Sequence, residues 1–60
     1  MKIDFRVQEK INDLDYELEV YSNDGEHFRV CENKSRYSEF ETREDFYNHF
    51  EDAAKWIFGT

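Results

Sequence analysis

The sequence contains no proline, two glycines and a single cysteine. Because Cys31 has no second thiol to pair with, an internal disulfide is excluded, and no Cys or Cys/His grouping has the spacing of a zinc site. The N-terminal residues lack the apolar core of a secretion signal, and no segment approaches the roughly 18 apolar residues of a membrane helix. We therefore expect a cytoplasmic protein without a metal, a cofactor or a membrane anchor.

Basic residues are also scarce, with 8 lysines and arginines against 15 acids and a net charge of -7 at pH 7. The excess is spread along the chain, since residues 1–30 hold eight acids and four bases and residues 31–60 hold seven acids and four bases. Such a charge repels nucleic acids and anionic membranes, and it attracts basic surfaces, including those of proteins that bind nucleic acids. The composition therefore indicates a protein partner and disfavours direct binding to DNA or lipid.

With 60 residues and no linker, repeat or low-complexity segment, the chain is expected to form one domain, residues 1–60. A chain of this length buries only about 60% of the surface that its unfolded form exposes. Aromatic residues make up 18% of the chain, and each ring buries about 150–250 Å². The rings are therefore expected to supply most of the core.

Three segments alternate apolar and polar residues with the period of two that is typical of strands with one buried face. They cover residues 2–8, 13–20 and 26–32 and predict an antiparallel meander. Residues 36–41 can add a fourth strand across an Asn33-Lys34-Ser35 loop, which would place Phe28 opposite Phe40 and Cys31 opposite Tyr37.

The second hairpin contains the strongest turn signal, Asn23-Asp24-Gly25. A three-residue loop there, with its glycine in the left-handed region, pairs Val20 with Phe28 on the buried face. The same register places Glu19 opposite Arg29 on the other face, where opposite charges stabilise a strand pair by about 0.2–1 kcal/mol.

The first hairpin can be paired in the same way by matching its apolar faces. A four-residue loop, Lys10–Asp13, places Val7 opposite Tyr16 and Arg6 opposite Glu17. This register predicts that the carboxylates in the middle of the second strand lie beside bases.

Residues 42–58 have the pattern of a helix. Thr42 is expected to be the N-cap, Glu44 and Asp45 face the positive end of the helix dipole, and Gly59 follows the last turn. The apolar stripe that should cover the sheet contains Phe46, Tyr47, Phe50, Ala53, Ala54, Ile57 and Phe58. The predicted fold is α+β, a three- or four-stranded antiparallel meander with one C-terminal helix packed on one face.

Ten carboxylates are candidates for contact with a basic partner, because side chains on one strand face repeat every 6.7 Å or so, about two phosphate steps along a DNA strand. The alternative for Glu17 and Glu19 is an ordinary solvated face paired with bases. The alternative for Glu44 and Asp45 is stabilisation of the helix dipole. The ten are Asp13, Asp15, Glu17, Glu19, Asp24, Glu26, Glu39, Glu41, Glu44 and Asp45.

Two tyrosines on the predicted uncovered sheet face, Tyr21 and Tyr37, complete the set of partner-binding candidates, because tyrosine is frequent at binding hot spots. Isolated exposed rings are the alternative interpretation. Catalysis is not expected. Cys31 and His27 are separated by about 13 Å of strand, too far for a thiolate and its base.

The hairpin NDGEHFRVCENKS, residues 23–35, and the segment EDFYNHF, residues 44–50, resemble small acidic inhibitors that phages direct against host nucleic-acid enzymes, in particular the anti-CRISPR proteins. The resemblance implies a stoichiometric inhibitor in the host-cell cytoplasm that occupies a DNA-binding cleft with carboxylates in place of phosphates. Inhibitors of uracil-DNA glycosylase or of other antiphage enzymes fit the same profile.

A different class of function is a structural or regulatory interaction module without DNA mimicry. Such a module would form a homodimer through the uncovered sheet face or through a free edge strand, because unpaired strand edges are ready-made association surfaces.

Overall fold

The computed structural model describes residues 2–59, which form a four-stranded antiparallel sheet followed by two helices. The spatial order β1-β2-β3-β4 is a meander, as predicted. The fourth strand exists, and its predicted register is confirmed, with Phe28 opposite Phe40 and Cys31 opposite Tyr37. The elements are β1 (Ile3–Ile11), β2 (Leu14–Ser22), β3 (Phe28–Glu32), β4 (Arg36–Phe40), α1 (Arg43–His49) and α2 (Glu51–Phe58).

The α+β class is therefore confirmed, but the prediction of a single C-terminal helix is wrong. The backbone leaves helical values at Phe50 (φ -123°, ψ 66°), where α1 ends and α2 begins. The break coincides with aromatic packing, because the Phe50 ring contacts those of Phe40 and Phe46 at centroid distances of 5.7 and 6.1 Å. The predicted ends are correct: Thr42 caps α1, and Gly59 ends α2 in the left-handed conformation (φ 72°).

The predicted register of the first hairpin is wrong by two residues. Asn12 and Asp13 form a two-residue turn with both φ angles positive, at 52° and 65°, so Val7 pairs with Leu18 and Arg6 with Glu19. Asn and Asp tolerate the left-handed region better than other non-glycine residues, which makes this short turn accessible without glycine. A slip of two residues leaves every side chain on its predicted face.

The second hairpin differs from its prediction in the same manner. Gly25 is left-handed (φ 80°), as expected, but the loop spans residues 23–27, and Val20 pairs with Val30 instead of Phe28. The wider loop is closed by side chains. The Ser22 hydroxyl accepts from the Gly25 N–H at 2.9 Å, and the Asp24 carboxylate accepts two further backbone N–H bonds. Glu19 consequently faces Cys31 instead of the predicted Arg29, and Tyr21 faces Arg29.

The core lies between one face of the sheet and the two helices. Phe28 and Phe46 are fully buried, and their rings stack at 4.3 Å with an interplanar angle of 5°. Every member of the predicted helical stripe is in the core or packs against it. The other buried apolar residues are Ile3, Leu18, Val20, Val30, Ala53 and Ala54.

The meander gives the sheet two distinct ends. The β2–β3 loop and the chain entering α1 lie at one end, because both follow strands that run in the same direction. The β1–β2 and β3–β4 turns lie at the opposite end. The nine residues of β2 separate these ends by about 30 Å.

Candidate functional site

The predicted partner-binding residues fall on three parts of the molecule. Five carboxylates lie at the end that carries the β2–β3 loop, and we call this group the acidic end: Asp24, Glu26, Glu41, Glu44 and Asp45. The uncovered sheet face carries Asp15, Glu17, Glu19, Glu39, Tyr21 and Tyr37. Asp13 lies in the β1–β2 turn at the far end.

Arg43, the first residue of α1, brings the two halves of the acidic end together. Its backbone N–H donates to the Glu26 carboxylate at 3.3 Å, and its Nε donates to the Gly25 carbonyl at 3.3 Å. Its guanidinium lies 4.3 Å from the centre of the Phe58 ring, a cation–π arrangement. These contacts hold the β2–β3 loop against the start of α1, although the two segments are 17 residues apart in sequence.

Asp24 has a structural role at this end. Its carboxylate accepts hydrogen bonds from the backbone N–H groups of His27 at 2.9 Å and Glu26 at 2.8 Å. Those bonds favour the ionised form and lower the pKa of Asp24 below its ordinary value. Asp24 is therefore an anion that is fixed in position by its own loop.

The remaining carboxylates of the acidic end are exposed. Within the part of the chain that the structure describes, no Lys, Arg or His side chain lies within 4.0 Å of a carboxylate of the acidic end. The Thr42 hydroxyl accepts from the Asp45 N–H at 3.1 Å, which fixes the backbone that carries Glu44 and Asp45. With five carboxylates and the guanidinium of Arg43, the acidic end thus presents an excess of negative charge on an ordered backbone.

The uncovered sheet face is different, because its charges are nearly balanced. Glu39 lies 3.8 Å from Arg29, Lys34 lies 3.7 Å from Glu17, and Arg6 is paired across the strands with Glu19. The carboxylates on this face are Asp4, Asp15, Glu17, Glu19 and Glu39, and the bases beside them are Arg6, Lys10, Arg29 and Lys34. Exposed pairs of this kind contribute about 0–1 kcal/mol each and leave little net field.

The two predicted tyrosines do lie on the uncovered face, but they are not equivalent. The Tyr37 side chain is 76% exposed, whereas Tyr21 is 37% exposed and donates to the Asn23 side chain at 2.7 Å. Cys31 is adjacent to Tyr37 across the strands, and the electrostatic interaction with Cys31 raises the pKa of Tyr37 above its ordinary value. His27 lies in the β2–β3 loop with its ring nitrogen 3.9 Å from Glu39. This arrangement juxtaposes no nucleophile with a base.

Asp13 and Asp15 lie too far from the acidic end to belong to the same binding surface. Asp15 lies near the start of β2, and seven residues of strand, about 23 Å, separate it from Ser22, where the β2–β3 loop begins. Asp13 has a positive φ angle and forms the turn itself. A partner that contacts the acidic end through a small patch would therefore not reach Asp13 and Asp15.

Sequence reasoning missed two residues that position these groups, Arg43 and Asn33. A base in the first turn of a helix is destabilising, because it lies at the positive end of the helix dipole. The position of Arg43 therefore indicated that a tertiary contact stabilises it there. The Asn33 side-chain oxygen accepts from the Glu17 backbone N–H at 3.0 Å, and the Asn33 backbone N–H donates to the Glu17 carbonyl at 2.8 Å. Asn33 thereby ties the β3–β4 turn to β2, a contact that local sequence does not signal.

Neither a metal centre nor a membrane segment is seen among residues 2–59: no three His, Cys, Asp or Glu side chains are grouped to hold a metal ion, and neither helix has the length and apolarity to cross a membrane. Comparison with protein-family models, with curated proteins and with solved structures finds no match to this chain. The functional argument therefore depends on the geometry and charge of the molecule itself.

Proposed function

We propose that this protein is a stoichiometric inhibitor that binds the DNA-binding cleft of a nucleic-acid enzyme, with the carboxylates of its acidic end in place of DNA phosphates. The observation that carries the proposal is the joining of the β2–β3 loop to the start of α1 by Arg43. This contact collects five carboxylates at one end of a domain whose uncovered sheet face is almost neutral.

Charge alone attracts a basic partner, but a phosphate mimic also needs carboxylates held in place. The loop hydrogen bonds of Asp24 and the helix cap of Thr42 order the backbone on both sides of the acidic end. Less conformational freedom then remains to be lost when the partner binds, which favours affinity. The localised negative field also accelerates encounter with a basic cleft, and this acceleration weakens as salt screens it.

The class of target follows from the same chemistry. A cleft that binds DNA is lined by lysines and arginines that contact phosphates, and these are the groups that an ordered cluster of carboxylates complements. A CRISPR nuclease, or another enzyme of antiphage defence, is the proposed target. Binding should be competitive with double-stranded DNA and should have a stoichiometry of one acidic end per cleft.

The test compares two double variants with the same net charge. Glu41→Lys with Glu44→Lys changes the acidic end, and Glu9→Lys with Asp52→Lys changes exposed carboxylates beside the groove between β1 and α2. Each pair changes the net charge from -7 to -3, because each acid-to-lysine replacement changes it by two. Asp24 and Glu26 are left intact because their carboxylates accept backbone hydrogen bonds.

The tagged wild-type protein is first used to recover partners from a bacterial lysate, and each recovered nucleic-acid-binding protein is then tested for inhibition and for competition with DNA. We expect the acidic-end variant to lose about 10-fold or more in affinity, because two reversed charges remove about 1 kcal/mol each or more, while the control variant changes far less. Equal losses in both variants would show that net charge alone drives binding. Recovery of partners that do not compete with DNA would refute the mimicry.

A further inference from the structure

The sheet has two free edges, and they differ in length and chemistry. β1 offers nine residues at one edge, and β4 offers five at the other. The Asn12-Asp13 turn makes Ile11 and Leu14 the closing hydrogen-bonded pair of the first hairpin. Since successive residues of a strand direct their N–H and C=O groups to opposite sides, Asp4, Arg6, Gln8 and Lys10 direct theirs away from β2. β1 thus presents a row of backbone groups that the sheet does not pair.

β1 is also electrically neutral in an acidic protein. Between Ile3 and Ile11 the carboxylates of Asp4 and Glu9 are matched by Arg6 and Lys10, whereas β2 carries three acids and no base. Two copies can therefore approach each other along β1 without direct contact between their acidic ends. Natural edge strands that avoid association are usually short, bulged, charged or interrupted by proline. β1 is long, its charges sum to zero, and the chain contains no proline.

Apolar surface lies beside this edge on the helix side of the sheet. β1 and α2 form the walls of an open groove of about 830 Å³, which Phe5, Val7 and Ile11 line from β1 and Trp56 lines from α2. Ile11 is 50% exposed and the Trp56 ring is 79% exposed. Two short helices leave the outer part of β1 only partly covered, so a strand added at this edge would extend the floor of the groove.

We propose that a second copy of this chain pairs with β1 through its own β1, antiparallel and centred on Val7, to form a continuous eight-stranded sheet. In this register Asp4 lies opposite Lys10 of the partner subunit, Arg6 opposite Gln8 of the partner subunit, and Ile3 opposite Ile11 of the partner subunit. The two-fold symmetry repeats each pair, so two Asp–Lys contacts form on one face. On the other face two Ile–Ile contacts form, and Phe5 lies opposite Glu9 of the partner subunit. The proposal is independent of the proposed inhibitory function.

Other registers that keep the apolar faces together are less favourable. Centring the pair on Arg6 places that arginine against itself, and centring it on Gln8 places Arg6 against Lys10 of the partner subunit. Like charges directly opposite each other destabilise a strand pair. Centring on Phe5 is compatible in charge, since Asp4 then meets Arg6 of the partner subunit, but it pairs fewer residues and leaves Ile11 uncovered.

The β4 edge lacks this complementarity. An antiparallel pair centred on Ser38 would place Tyr37 against Glu39 of the partner subunit and Arg36 against Phe40 of the partner subunit, so no opposite charges meet. Its five residues also provide about half as many backbone hydrogen bonds as the nine of β1. The observations therefore select β1.

The first experiment measures the mass of the wild-type chain by sedimentation velocity from micromolar concentration to about 0.5 mM, a range in which a micromolar Kd gives mostly dimer. Gln8→Pro removes an N–H that points away from β2 and should leave the monomer folded, because edge strands accept proline at such positions. We expect a dimer for the wild type and a monomer with unchanged circular dichroism for the variant. A wild-type monomer over the whole range, or a Gln8→Pro dimer of unchanged affinity, would overturn the proposal.

Two further measurements test the register. Lys10→Glu should raise the dimer Kd about 10-fold or more, because two attractive pairs become repulsive, and adding Asp4→Lys to it should restore affinity. In a Cys31→Ser background, Val7→Cys should form an intermolecular disulfide on oxidation, since a non-hydrogen-bonded pair on the symmetry axis brings the Cα atoms to about 4.5 Å. Phe5→Cys should not cross-link. The reverse cross-linking result, or failure of the charge swap to rescue a folded dimer, would refute the proposed register.

Discussion

The replacement Arg43→Ala tests how the acidic end is held together. The substitution removes the hydrogen bond from Nε to the Gly25 carbonyl and the contact between the guanidinium and the Phe58 ring. The hydrogen bond stabilises the fold by about 0.5–1.5 kcal/mol, and a cation–π contact at an exposed site adds about 0.5–1 kcal/mol. Removing a base from the first turn of α1 regains about 0.3–1 kcal/mol. The expected net loss is about 1 kcal/mol in the free energy of unfolding.

The assay is urea unfolding followed by circular dichroism, together with a thermal melt. For a domain of this size, a loss of about 1 kcal/mol lowers the Tm by roughly 4–8 °C. Native-state hydrogen exchange adds a local readout, because backbone N–H groups of the β2–β3 loop should exchange faster once Arg43 no longer holds the loop. The backbone N–H of residue 43 can still donate to Glu26, so the fold itself should persist.

A double-mutant cycle separates the ring contact from the hydrogen bond. Arg43→Ala, Phe58→Leu and the combined variant should give a coupling free energy of about 0.5–1 kcal/mol. Zero coupling would show that the guanidinium is not on the ring in solution. If Arg43→Ala leaves both the stability and the loop exchange unchanged, the argument that this residue assembles the acidic end is wrong.

Three other predictions concern stability. Phe46→Ala should abolish cooperative unfolding in circular dichroism, because deleting the ring stacked on Phe28 costs about 3–5 kcal/mol and a 60-residue domain has only about 3–9 kcal/mol in total; a retained sharp transition would contradict this. The lowered pKa of Asp24 means that its ionised carboxylate stabilises the fold above its ordinary value of 3.8 and that this contribution is lost as the pH falls through the lowered value. Asp24→Asn should therefore be less stable than wild type in urea at pH 7, and the difference in the free energy of unfolding should shrink toward pH 2–3. A difference independent of pH would show that the negative charge of Asp24 does not stabilise the loop. Asp13→Gly should raise the free energy of unfolding by up to about 1 kcal/mol, because glycine adopts the positive φ of 65° without strain; a destabilised variant would show that the Asp13 side chain contributes to the turn.

The registers of the two hairpins that contain β2 show what a hydrophobic pattern cannot determine. The alternation of apolar and polar residues defines which face of each strand is buried, but a slip of two residues preserves that alternation. The observed pairs Val7–Leu18 and Val20–Val30 are as apolar as the predicted pairs, so the hydrophobic pattern could not choose between them. In both cases the choice was made by turn chemistry. Left-handed Asn12 and Asp13 shorten one turn, and side-chain hydrogen bonds from Ser22 and Asp24 widen the other.

The helical region and the acidic end also combine features that local sequence predicts with features that depend on distant contacts. The capping residue Thr42, the terminal Gly59 and the apolar stripe between them were readable from the sequence, because they depend on contacts within a few residues. The break at Phe50 could not be predicted from the sequence, since it accompanies packing against the Phe40 ring on β4. Similarly, the abundance of carboxylates was evident, but their separation into a balanced face and an end with excess negative charge depends on contacts of Arg43 and Asn33.

The sequence by itself determined the class of the fold, the face that each strand buries, the extent of the helical region and the overall negative charge, because each follows from local periodicity or from simple counts. Only the tertiary structure decided the register of the first two hairpins, the division of the helix and the position of the excess charge. The division of the helix and the position of the excess charge depend on ring contacts and hydrogen bonds between residues far apart in the chain. The registers depend on how each turn closes, because several pairings of nearly equal hydrophobic content were compatible with the same pattern.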